Sequence, residues 1–274
     1  MKRNRFWRMV TLGIKQFRDP YYQGFAAQLS FYFMLSIVPI IILLSQVLAN
    51  IFQSSLEDAV GWLLQYSKGT VSDELNKILT YKTAGFSNFI YIFVAIWASS
   101  RAQFSMMRIT NFMFTEGKST GKGYWRERFR AVVNMLLFMI IIVLALVALV
   151  FGGKIIELLG WSAAIWTALR WPVALLLYFL LISYSYYIMP TDKIKFRQVL
   201  PGSIFASVGL VLVTMIYSFY TTRIADYNII YGVLGNIVAI MFWFFFLAWV
   251  LCLGILLNKV WMDTTGGKDE MFLD

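Results

Sequence analysis

N-I-V-A-I-M-F-W-F-F-F-L-A-W-V-L-C-L-G-I-L-L-N, residues Asn236–Asn258, decides the fold of this chain. It carries no charge, and a helix needs ~20 mostly apolar residues to cross the hydrocarbon core of a bilayer. Five more stretches meet the same test, roughly Gly24–Phe52, Phe89–Met107, Val132–Phe151, Trp171–Met189 and Pro201–Thr221. The expectation is all-α: a polytopic membrane helix bundle with six transmembrane helices plus interfacial helices. Three parts follow: a cytoplasmic amphipathic N-terminal arm (1–23), a six-helix transmembrane domain (24–258) and a cytoplasmic tail (259–274). Composition agrees, with 60% hydrophobic residues and a mean hydropathy of +0.70, against ~45–50% apolar content in soluble domains.

The apolar stretches between the spans are too short or too broken to cross. Ile155–Leu169 is interrupted by Glu157 and Gly160 and reads as interfacial or re-entrant. The Ser54–Gly85 connection spaces its Val, Leu and Ile residues as two surface helices broken near Gly69. In the arm, Phe6, Trp7, Val10, Ile14 and Phe17 recur at helical spacing among six cations. That pattern suits a short helix lying on an anionic leaflet. The bland alternative, a basic flank of the first span, predicts the same location.

Orientation follows from the bias of Lys and Arg towards cytoplasmic loops. With the N-terminus inside, seventeen cations lie on the cytoplasmic side and six outside. Both termini are then cytoplasmic. The net charge of +10 is explained by topology, so no nucleic-acid partner is expected. The chain has no His, and its single Cys252 lies in an apolar run. A disulfide framework and thiol or His metal clusters are therefore not expected, nor is any cofactor. No Walker A motif is present, so ATP hydrolysis by this chain is not expected.

Arg101 is the exception in the second span. A charge at membrane depth costs ~3 kcal/mol on insertion scales, and the spans hold no acidic residue at its depth. Two readings compete: the guanidinium snorkels to the cytoplasmic interface, or it meets an anionic ligand. Trp97, Arg101, Ser105 and Arg108 share a face at 3.6-residue spacing. The anion-binding candidates are Arg101 and Arg108 with Ser100, Ser105, Asn111, Tyr227, Asn228 and Tyr231. The last three belong to Y-N-I-I-Y-G-V-L-G-N (Tyr227–Asn236), which also reads as a well-made turn into the last span. Gln28 and Pro39 on the first span, and Ser207, Thr214 and Ser218 on the fifth, are candidate cavity-lining residues. Small polar residues on one face equally suit close helix packing. Arg101 is expected to face the bundle interior, near the first span or the Tyr227–Asn236 segment.

These residues also carry a likeness. S-I-V-P at Ser36–Pro39, S-R at Ser100–Arg101, then Asn111, the basic loop Y-W-R-E-R-F-R and Pro190 occur in order. Pro201–Gly202, Y-N-I-I-Y-G, Gly235, Trp243, Gly254 and Asn258 follow. Together, from about Gly24 to Asn258, they resemble the YihY/BrkB family of bacterial inner-membrane proteins, once labelled ribonuclease BN. The resemblance implies six spans and a multi-pass protein of the bacterial inner membrane. One departure is Leu256, where relatives often carry Glu. Neither metal-bound carboxylates with His nor paired His are available for RNA hydrolysis. The expected function is therefore non-enzymatic: transport or translocation of an anionic, phosphate-bearing envelope lipid or precursor, with membrane lipids as partners. A non-transporting scaffold for envelope biogenesis is the alternative, and a ribonuclease is least favoured.

Overall fold

The computed structural model describes residues 2–18, 20–51, 86–118, 123–158, 163–191, 194–223 and 232–265. Among them the chain forms seven helices and no strand: α1 (Lys2–Phe17), α2 (Pro20–Ile51), α3 (Phe86–Phe114), α4 (Tyr124–Leu158), α5 (Ala163–Ile188), α6 (Phe196–Arg223) and α7 (Gly232–Thr265). The Ser54–Gly85 connection and the segment holding Tyr227, Asn228 and Tyr231 lie outside the described residues.

Four helices are long and apolar enough to cross a membrane, judged over the described residues: Pro20–Leu44, Tyr124–Ala145, Phe196–Tyr220 and Val238–Thr265. Pro172–Ile188 of α5 is apolar but shorter. The second predicted span, in α3, does not reach this level. It carries Arg101 and Arg108 among Ser and Gln residues, and each charge offsets several apolar side chains. The helix limits also shift from expectation. Tyr124 to Arg130, the basic loop Y-W-R-E-R-F-R of the sequence, is the first part of α4. Phe196 to Leu200, upstream of the expected fifth span, opens α6, and α7 stays helical through Thr265 with Lys259 and Val260 buried.

The core lies between α2, α3, α5, α6 and α7, around Leu29, Met106, Met113, Tyr186, Val199 and Ile255. The outward faces are apolar too: Phe31 and Leu35 on α2, Ile140 and Leu144 on α4, Val208 and Leu212 on α6 are exposed. Apolar patches of this extent are covered by lipid in a membrane protein. The amphipathic α1 docks Met9 and Leu12 on the core and turns Trp7 and Ile14 outward.

Glycine sets the closest helix approach. A Cβ on Gly202 of α6 would overlap the Gly254 carbonyl oxygen and the Asn258 side chain of α7. A Cβ on Gly254 would meet the Tyr186 hydroxyl. Polar groups lock this node: Asn258 Oδ1 accepts from the Gly202 N–H at 2.7 Å, and the Tyr186 hydroxyl donates to the Leu251 carbonyl at 2.8 Å. Small residues at membrane helix interfaces let backbones approach and hydrogen bonds form across them.

Candidate anion-binding site

The edges of α3 have different neighbours. Ser99, Ala102, Gln103 and Met106 line a central, largely apolar cavity of about 290 Å³. Trp97, Arg101, Phe104 and Arg108 recur one or two turns apart on the opposite edge. Arg101 therefore faces away from the cavity, on the edge that α2 and α4 flank. The reason is the helical period: residues that fill the cavity sit half a turn from the arginine edge.

Flanking helices define the surroundings of that edge. On one side lies α2, where Gln28 Nε2 donates to Ser105 Oγ at 3.3 Å and Ser36 Oγ donates to the Ala98 carbonyl at 3.3 Å. On the other side lies α4, where Tyr124 meets Phe104 edge-on at 5.4 Å between ring centroids. Ala131 packs in one cluster with Phe104 and Met107. Tyr124, Arg128 and Ala131 share one face of α4 at helical spacing, so the packing that places Tyr124 and Ala131 against α3 also buries Arg128.

Arg128 is 1% exposed. Its guanidinium carbon stands 4.2 Å from the centre of the Trp97 ring and 5.4 Å from that of Phe104. Its Nη2 donates to the Trp97 carbonyl. Its Nε and Nη1, both buried, have no hydrogen-bond partner among the described residues, leaving three of the five guanidinium N–H donors unused there. A desolvated cation–π contact is worth ~2 kcal/mol, whereas buried charged donors without acceptors cost at least as much. Sequence reasoning counted Arg128 only as a loop cation. The signal was its spacing from Tyr124 and Ala131, legible only once α4 is known to begin upstream of it.

Arg101 is half-buried, one turn from Trp97 and one from Phe104, the two rings beneath the Arg128 guanidinium. The two cations are close enough to act electrostatically on each other. No hydrogen bond or ion pair holds Arg101 among the described residues. The carboxylates with described side chains are engaged elsewhere. Glu127 accepts from Asn111 Nδ2 and from Thr191 Oγ1, both at 3.3 Å. Glu116 and Asp263 pair with the buried Lys259, at 3.2 and 2.6 Å.

The other predicted site residues separate. Ser100 is fully buried, and its hydroxyl donates back to the Trp97 carbonyl at 2.9 Å. Ser105 accepts from Gln28. Arg108 stands 5.6 Å over the Phe104 ring, farther along the same edge. Asn111 joins a latch instead: its amide donates to Glu127 and its Oδ1 accepts from the Thr191 N–H at 2.8 Å. Arg130 completes the latch through the Ile188 and Pro190 carbonyls.

None of Gln28, Pro39, Ser207, Thr214 and Ser218 lines the central cavity; Ser36 and Leu210 do. Helix α2 continues through Pro39. On α6, Ser203 and Ser207 are buried while Thr214 and Ser218 are exposed. Of the three candidate cavity-lining residues on this helix, only Ser207 is thus internal. The hydroxyls of Ser203, Ser207 and Thr214 donate to their own helix four residues back, at 2.8, 2.7 and 2.8 Å. Such back-bonding satisfies each hydroxyl without water or ligand.

The apolar helices and their lipid-compatible surface define an integral membrane protein. The chain belongs to the family described as virulence factor BrkB, which matches residues 14–271. It is 28% identical over 249 residues to YfkH of Bacillus subtilis (strain 168), named a ribonuclease-like protein, covering 87% of this chain and 89% of that one. A UPF0761 membrane protein of Nitrosospira multiformis is 26% identical over 104 residues, 34% of this chain and 24% of the relative. One of Glaesserella parasuis serovar 5 is 34% identical over 71 residues, 26% and 25% of the two chains. No solved structure matches the chain.

Proposed function

We propose that this protein translocates an anionic, phosphate-bearing envelope lipid or lipid precursor across the bacterial inner membrane, spanning it six times with both termini cytoplasmic. One observation carries the reading: Arg101 and the buried Arg128 share the Trp97–Phe104 edge of α3 while the carboxylates with described side chains are engaged elsewhere. Like charges brought together at membrane depth destabilise the protein unless an anion offsets them. Guanidinium groups suit phosphate because they present planar, paired donors.

A ribonuclease activity, suggested by the name of the Bacillus relative, has less support. The sequence contains no His, and hydrolytic RNA cleavage ordinarily relies on His or on metal-bound carboxylates. The test is reconstitution into liposomes with headgroup-labelled anionic lipids. Time-dependent loss of outer-leaflet label, above that of protein-free vesicles, is the expected result. A reconstituted, folded protein that moves no lipid would sink the proposal.

A further inference from the structure

The α4 segment Tyr124–Ala131 adds a residue to this picture that the sequence does not single out. Arg128 combines three properties: it is 1% exposed, it is stacked on an aromatic floor, and its Nε and Nη1 have no acceptor among the described residues. Arg130, two residues on, spends its donors on backbone carbonyls, those of Ile188 and Pro190. Arg128 spends one nitrogen on Trp97 and leaves two unused. One turn along the same edge of α3 from each of these rings lies Arg101, with no hydrogen bond or ion pair among the described residues. Its edge of α3 faces away from the apolar cavity, with α2 on one flank and α4 on the other.

We propose that Arg128 and Arg101 form a two-guanidinium clamp for one phosphate group, floored by Trp97 and Phe104 and entered from the side, between α2 and α4. The clamp deepens the reading above and rests on its anion chemistry, not on movement of lipid. Arg128 is the fixed arm, because its stacking and its bond to the Trp97 carbonyl hold the guanidinium plane. Arg101 is the second arm, half-buried and without a hydrogen bond or ion pair among the described residues. Lateral entry suits a lipid headgroup whose acyl chains stay in the bilayer; a free phosphate ion would offer the same oxygens.

Binding to purified full-length protein in uncharged detergent tests it, with inorganic phosphate and with dihexanoyl phosphatidic acid as probes and dihexanoylglycerol as the phosphate-free control. Saturable binding of phosphatidic acid alone assigns the ligand to a headgroup; comparable binding of inorganic phosphate assigns it to the free ion. Either result, with no saturable binding of the control, supports the clamp. Arg101→Gln should weaken binding at least ~10-fold, and Arg128→Lys, which keeps the charge but loses the fork, by a similar factor. Arg128→Gln should abolish it. Should Arg128→Gln fail to fold, Arg101→Gln and Arg128→Lys still decide. Wild-type affinity in either variant, or saturation by neither probe, overturns the clamp. A protein that binds phosphate yet moves no lipid in liposomes overturns the transport reading alone.

Discussion

Arg101 is where residue chemistry and function meet. Its guanidinium can grip a phosphate through two parallel bonds, which an ammonium cannot. In the translocation assay Arg101→Lys is expected to lose most activity and Arg101→Ala all of it. An Arg101→Ala protein that inserts and retains full activity would leave snorkelling as a sufficient account of the residue. Asn111 makes a contrasting case, because its amide is committed to Glu127 and its carbonyl oxygen to the Thr191 N–H. Asn111→Asp would set two carboxylates against each other in a buried latch. It should cost ~2 kcal/mol or more, exceeding Asn111→Ala. Detergent unfolding midpoints measure the difference; equal midpoints would argue against the latch.

At the scale of elements, the α6–α7 pair concentrates the packing constraint. Gly202 and Gly254 leave no space for a methyl group against the facing backbone. Gly202→Ala should destabilise the fold by ~1–3 kcal/mol or more through overpacking, read as a lower thermal midpoint or a loss of monodisperse protein. The two halves of the α6 polar stripe should respond differently. Ser207→Leu inserts bulk into a buried contact, with a cost expected in the same range, whereas Thr214→Ala changes an exposed, back-bonded hydroxyl and should stay within ~0.5 kcal/mol. A large effect at Thr214 would show that this half of the stripe meets a partner.

For the whole molecule, the proposed six-span arrangement makes the most direct prediction. Cysteines introduced singly on a Cys252→Ser background should report Ser119, between α3 and α4, as reachable only from the cytoplasmic side. Strong labelling there from the periplasmic side would invert or break the topology. The prediction rests on the excess of cations in the segments assigned to the cytoplasm, which a membrane potential and anionic lipids read directly.

Helical class, membrane residence and family were determined by sequence alone. Long uncharged runs such as Asn236–Asn258 satisfy their backbone in lipid only as helices, and the ordered motifs match a family pattern over nearly the whole chain. Periodicity also placed Arg101 and Arg108 on one edge of α3 with Trp97. Which way that edge faces was decided by tertiary structure, because a helical period fixes relative angles on one helix and says nothing of its rotation against the others. The same holds for Arg128, which belongs to a basic run in sequence and becomes a buried cation only when Tyr124 and Ala131 dock on α3. Small polar residues on α6 were ambiguous for a related reason. A serine that lines water and one that bonds its own helix look alike until the neighbouring helix is in place.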